Sequence, residues 1–133
     1  MATFQLKIVT PDGVSYDGEA QRLVVRTTGG DVCILSRHAT YLAPLSIGGT
    51  KVYDADGNVR EAACSGGMVS FANEVATVVA QTFEWADEID VARAERALEK
   101  AKAKKESETE AKDIALAELK IKRALNRINI GKK

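Results

Sequence analysis

Histidine occurs once in this chain, at position 38, and cysteine only twice, at positions 33 and 64. With no CxxC spacing and no second histidine, these residues support neither a disulfide framework nor a zinc cluster, and the count suits a reducing compartment. A nucleophile built from Cys33 and His38 is a weak reading, because no Ser/His/Asp spacing accompanies the histidine. No GxxxxGK[ST] run is present, which excludes a Walker-type phosphate loop. No apolar run approaches the 18 residues or so that cross a bilayer. The start, MATFQLKIV, has no basic leader followed by an apolar core, so the expectation is a protein that is not secreted. Proline is absent from residues 87–133, where Gly131 is the only glycine.

What remains is 45% hydrophobic and 29% charged, the balance of a globular protein, in 133 residues. That length fits one domain, or a small domain with an appendage. The net charge of zero hides an asymmetry. Residues 1–87 carry 6 basic and 10 acidic groups, a net of −4, and residues 88–133 carry 13 basic and 9 acidic groups, a net of +4. Such cancellation argues against a general nucleic-acid binder, and leaves a basic C-terminal segment suited to an acidic patch.

The first half has the period of β structure. In FQLKIV, Phe4, Leu6 and Ile8 alternate with polar residues. Further short runs follow: RLVVRT, VCIL, TKVYD, NVREAAC, MVSFA and EVATVVAQ. Pro11–Gly13 and Asp56-Gly57 are turn chemistry, the latter a strong hairpin signal. Gly29-Gly30, Gly48-Gly49, Gly66-Gly67 and Asn73-Glu74 read as further turns. Many short strands at this spacing predict a sandwich or flattened barrel.

After Phe83 the composition changes. DEIDVARAERALEKAKAKK places Val91, Ala94, Leu98 and Ala101 at helical spacing, with Asp87 or Asp90 as cap. A second helix, capped by Ser107 or Thr109, carries Ile114, Ile121, Leu125 and Ile128 as its stripe, with Gly131 just past its end. The expected architecture is α+β, mainly β at the N-terminus: an antiparallel β-sandwich over residues 1–86, then an antiparallel αα-hairpin over 87–133. The stripe of the first helix is mostly alanine, so its docking is expected to contribute only a few kcal/mol. Phe83 and Trp85 are expected to anchor helix to sandwich.

Near the chain end, Arg123 and Arg127 are four residues apart on one helix face, and no acidic residue follows Glu118. With the hairpin folded about Ser107, Ala124 falls opposite Asp90, which sets both arginines beside Asp90 and Arg93, with Lys100 two turns along. Convergent guanidinium forks suit a polyphosphate. The plain alternative is salt bridging plus solvated arginines.

TTGGDVCILSRHATYLAPL, SGGMVSFANEVATVVAQ and ADEID, in this order and at this chain length, resemble the epsilon-subunit family of bacterial F-type ATP synthases. The resemblance implies a non-catalytic rotor subunit, peripheral on the cytoplasmic side of the cell membrane. Its sandwich would sit at the foot of the central stalk on the gamma subunit and the c-subunit ring. The alpha, beta and delta subunits would complete its partners, and its hairpin would restrain ATP hydrolysis. IDVARA, residues 89–94, matches the I/L-D-x-x-R-A motif through which many members bind ATP as a regulatory ligand. Carried over by position, Ile89 and Ala94 would border the nucleotide, Asp90 the adenosine and Glu84 the adenine. Arg93, Arg123 and Arg127 would hold the phosphates. Lys100 stands where nucleotide-binding relatives can have Arg, and whether Mg²⁺ accompanies the ATP stays open. Asp31 and His38 lie in a polar region that faces rotor partners in the family. With no catalytic base beside the arginines, ATP would be sensed and not hydrolysed. The rival from another class is a free-standing sandwich that binds a small ligand, with a hairpin that docks a coiled-coil partner.

Overall fold

Alternation decides the first element. Strand β1 (Phe4–Thr10) buries Phe4, Leu6 and Ile8 and leaves Gln5 and Lys7 outside. The computed structural model describes residues 2–132 and divides the chain into two compact units, Met1–Trp85 and Ala86–Lys133.

The first unit holds β1, β2 (Gly13–Thr27), β3 (Gly30–Leu35), β4 (Tyr41–Asp54), β5 (Val59–Ala72), β6 (Val75–Ala80) and β7 (Phe83–Trp85). The strand order is β1-β6-β5-β4-β2-β3, with β7 on β5. Because β1 also pairs β2, five strands close on themselves, with β3 and β7 outside the ring. All pairings are antiparallel except β1 with β6. The core gathers Phe4, Leu6, Ile8, Leu23, Val25 and Phe71, among others, between the two layers of this sandwich.

Two of the expected turns are not turns. Gly48-Gly49 and Gly66-Gly67 lie inside the 14-residue strands β4 and β5, where Gly48 pairs Cys64 and Gly67 pairs Leu45. Around these glycines the burial phase of β4 slips from Ala43 and Leu45 to Thr50 and Val52, as the strand passes from one layer to the other. The crossing is too tight for a side chain. A Cβ on Gly67, at φ +123°, would lie 1.9 Å from the Val79 carbonyl oxygen, and one on Gly48 would lie 2.6 Å from Arg26 Cβ.

The unit ends on β7, where Trp85 is buried in the sandwich core. The Arg60 guanidinium lies 3.8 Å over the Trp85 ring, and Phe83 meets it edge-on at 5.0 Å.

The second unit begins with a 3₁₀ turn (Ala86–Glu88), which packs on helix α2 (Ala111–Gly131). Helix α1 (Val91–Ser107) buries Ala94, Leu98 and Ala101, and α2 buries Ala117, Ala124 and Ile130. Small residues thus dominate the seam, with Ile114, Ile121 and Ile128 half-buried beside it. Leu125, expected in the stripe, is 44% exposed, since Ala124 takes the inward position. Asp90 caps α1 as expected, accepting the Arg93 N–H at 3.0 Å. The expected cap of α2 is absent. Its N-cap is Glu110, with no side-chain hydrogen bond, because Ser107 still belongs to α1 and donates its hydroxyl to Lys104 O. Gly131 is the last residue of α2 and not a left-handed terminator. It is held at close approach, since a Cβ there would lie 2.8 Å from Val91 Cγ2 and 3.0 Å from Ile89 Cγ2.

Candidate functional site

The contacts of Gly131 fix the level of the two helices. Asp90 lies level with Gly131, and Lys105 Nζ reaches Glu118 at 3.4 Å near the closed end. At 3.6 residues per turn, the level expected from a fold at Ser107 is off by about two turns, because α1 runs on to Ser107 and the connection follows it. Arg127 therefore stands level with the second turn of α1, near Ala94 and Glu95. Arg123 stands one turn deeper, level with Leu98 and Glu99. Asp90 is not beside Arg123.

The residues singled out by sequence have different standings. Asp90 spends one carboxylate oxygen on the helix cap, which also orients the first turn that carries Arg93. The Arg93 side chain is exposed. Ala94 is 4% exposed and belongs to the seam, so its part is to let the helices approach closely. Ile89 is half-buried against the end of α2, and Lys100 is exposed. Arg127 is half-buried and engaged in an interaction of its own. Arg123 is the informative one. Its Nε is buried and has no hydrogen-bond partner among the described residues. A guanidinium nitrogen removed from water and left unpaired is costly, so it marks where an acceptor is missing. At the open end Lys132 Nζ meets Glu95 at 3.1 Å, which offsets one carboxylate in the same stretch.

Glu84 lies in the other unit, on β7 opposite Ala63, and has interactions there. The remaining candidates are also in the sandwich. Asp31 is clamped by Arg26, with Oδ1 to Nε at 2.8 Å and Oδ2 to Nη2 at 3.2 Å. That hydrogen bonding holds the Asp31 carboxyl below its ordinary range. The His38 ring packs edge-on against Tyr41 at 5.6 Å and Phe71 at 5.8 Å, with Nδ1 2.8 Å from Ala39 O. These contacts hold His38 to the β3–β4 loop and β5, and none of them is to Cys33. Cys64 is buried and its thiol is pushed up to about 11, which makes it a poor nucleophile. Sequence reasoning missed Glu74, whose carboxylate binds the β3–β4 loop. It also missed the Arg60–Trp85 stack, since neither leaves a periodic signal. No group of three or more potential metal ligands occurs among the described residues, and no helix is long and apolar enough to cross a membrane.

Fold and site together define a β-sandwich unit joined to an alanine-seamed helical hairpin with an underpaired arginine. The family model for the ATP synthase delta/epsilon chain β-sandwich domain matches residues 3–86, and that for the long α-helix domain matches residues 87–132. The chain is 41% identical to the ATP synthase epsilon chain of Ruminococcus albus, over 100% of this chain and 99% of that one. It is 39% identical to the ATP synthase epsilon chain of Bacillus pumilus, over the whole of both. Its fold is similar to a chain in the cryo-EM structure of Euglena gracilis mitochondrial ATP synthase, OSCP/F1/c-ring in rotational state 1. The TM-score there is 0.83 at 23% identity, over 95% of this chain and 79% of that one. The chain belongs to the epsilon-chain family of ATP synthases, the non-catalytic subunits of the central stalk. That assignment displaces the free-standing adaptor and the Cys/His hydrolase.

Proposed function

We propose that the hairpin of this subunit is an ATP-responsive brake on hydrolysis, carried at the foot of the rotor by the sandwich. The sandwich takes the gamma subunit and the c-subunit ring, and the extended hairpin reaches alpha and beta subunits, with delta elsewhere in the same assembly. The whole works peripherally on the cytoplasmic side of the membrane. The observation that carries the ATP reading is the unpaired, buried Nε of Arg123, one turn from Arg127. Arg93 at the start of α1 adds an exposed guanidinium. Together they offer forks for phosphate oxygens, while Asp90 and Ile89 serve the nucleoside.

The chain's own residues provide the switch. A seam in which four of the six buried residues are alanine (Ala94, Ala101, Ala117 and Ala124, beside Leu98 and Ile130) buries little apolar area, so docked and undocked hairpins stand near balance. A ligand shifts that balance only by binding one state better, and ATP favours the docked state, where α1 and α2 bring the arginines to one end. Undocked, the stretch from Asp90 to Ile128 can straighten to roughly 58 Å at 1.5 Å per residue. Its tail carries Lys120, Lys122, Arg123 and Arg127 with no acid, and an acidic surface of the catalytic hexamer holds it there. No residue in this arrangement activates water, so ATP is bound and released unchanged. Calorimetric titration of the full chain with ATP tests the site. Saturable binding that is lost in Arg123→Ala/Arg127→Ala supports it, and no heat at millimolar ATP refutes it.

A further inference from the structure

The two flanks of the hairpin carry different charges. One residue step turns an α-helix by about 100°, so a residue next to a buried one stands beside the seam. In an antiparallel pair of right-handed helices, residues that follow a seam position fall on one flank for both helices, and residues that precede it fall on the other. Glu95 follows Ala94 and Glu118 follows Ala117, and each is joined to the opposite helix. Glu95 Oε1 lies 3.1 Å from Lys132 Nζ, and Glu118 Oε1 lies 3.4 Å from Lys105 Nζ. Arg93, Lys100 and Arg123 precede Ala94, Ala101 and Ala124, and no acid stands one place before any buried residue of α1 or α2. One flank is thus cross-linked by two ion pairs, one towards each end of the hairpin. On the other, the charges at these places are all positive, and the buried Nε of Arg123 is unpaired.

We infer that the Glu95–Lys132 and Lys105–Glu118 pairs are a two-ended latch that sets how much ATP the hairpin needs in order to dock, although neither pair touches the nucleotide. The ATP half of this inference rests on the reading of the arginines given above; the docking half does not. Arg93 and Lys100 on α1 repel Arg123 across the seam until an anion lies between them. The alanine seam resists that repulsion weakly, so the pairs on the far flank matter. Half-exposed pairs of this kind carry little singly, about threefold each in an equilibrium. They are about 15 Å apart along α1, so their effects multiply to about ninefold. The sign separates the latch from plain charge. Neutralising an acid near an anion site ordinarily tightens the anion, whereas here ATP binds more weakly because fewer chains are docked.

The test uses the full chain with Glu95→Gln/Glu118→Gln, with Lys132→Glu, and with the swap Glu95→Lys/Lys132→Glu. The control is Glu99→Gln, whose acid is exposed and makes no ion pair among the described residues. Amide exchange at Ala117 and Ala124 without ATP, and calorimetric affinity for ATP, are measured for each. Protection scales with one plus the docking constant, and apparent affinity with the docked fraction. In Glu95→Gln/Glu118→Gln the two losses therefore multiply to about ninefold wherever the balance lies. Lys132→Glu should lose at least about threefold by the same product, and the swap should return to within about twofold of the parent. Glu99→Gln should lose in neither. Unchanged exchange with unchanged or tighter ATP binding in Glu95→Gln/Glu118→Gln overturns the latch. An equal loss in Glu99→Gln, or a swap that fails to restore the parent, overturns it too. If the parent itself binds no ATP, the ATP reading falls and exchange alone decides: lower protection in Glu95→Gln/Glu118→Gln upholds the latch, and unchanged protection overturns it.

Discussion

Replacing Arg123 by methionine should make the hairpin more stable without ATP and deaf to it. Methionine retains an unbranched apolar stem of similar reach and removes the buried Nε that lacks a partner. An unsatisfied buried polar group costs about 1–3 kcal/mol. Only Nε is buried without a partner, so the lower end applies, and we expect a gain of about 1 kcal/mol in the absence of ligand. In the parent chain, ATP at a hundred times its dissociation constant should add about 2.7 kcal/mol to the docked state. The variant should add close to none. Amide exchange at Ala117 and Ala124, both buried in the seam, reads the docked hairpin without interference from the sandwich. Their protection should rise about fivefold in Arg123→Met without ATP, since 1.4 kcal/mol is tenfold, and stay there when ATP is added. Lower protection without ATP would mean that Arg123 is already paired in the docked state. Undiminished protection by ATP in the variant would remove Arg123 from the phosphate site. Either result refutes the reasoning.

Gly131→Ala should loosen the hairpin despite the better helix propensity of alanine, worth about 1 kcal/mol, because its Cβ would meet Val91 and Ile89 at 2.8–3.0 Å and overpacking costs about 1–3 kcal/mol; faster Ala124 exchange checks it. Gly67→Ala should prevent the sandwich from folding or lower its melting temperature by more than 10 °C, since the Val79 carbonyl stands 1.9 Å from the new carbon and cannot yield as a side chain can. For Cys64, the folded thiol titrates at about 11 against an ordinary 9.0 because burial disfavours the thiolate. The unfolded chain then binds fewer protons between those values, so sandwich stability should fall as pH rises from 9 to 11, by up to about 2.7 kcal/mol. Denaturant melts of parent and Cys64→Ala across that window, with the slope flatter in the variant, measure this. A chain ending at Ala86 should keep a folded sandwich, because the core of the first unit is assembled from its own strands and closed by Trp85; aggregation of that chain would contradict it.

The strands and helices were legible because burial leaves a period. Phe4, Leu6 and Ile8 alternate, and Val91, Ala94, Leu98 and Ala101 recur at helical spacing, so the sandwich and hairpin follow from the pattern. Gly48-Gly49 and Gly66-Gly67 were misread because glycine marks both turns and close crossings, and only the partner strand decides between them. Gly131 carries the same ambiguity at a helix end, and its contact with Ile89 and Val91 shows only when both helices are in place. That contact also sets the level of the arginines, which loop counting misjudged by two turns. Glu74 was invisible for a different reason. Its work is done by three hydrogen bonds to residues 5, 36 and 37, remote in sequence and without any motif.

The most direct test of the brake is ATP hydrolysis by the assembled synthase, comparing the full chain with one ending at Ala86. At low ATP, where the proposed brake requires an undocked and extended hairpin in the full chain, the truncated enzyme should hydrolyse ATP several-fold faster. At high ATP the difference should shrink as ATP holds the full-length hairpin docked, and ATP synthesis should be little changed throughout. If the truncated enzyme is no faster than the full-length one at low ATP, the hairpin is not a brake and the account fails.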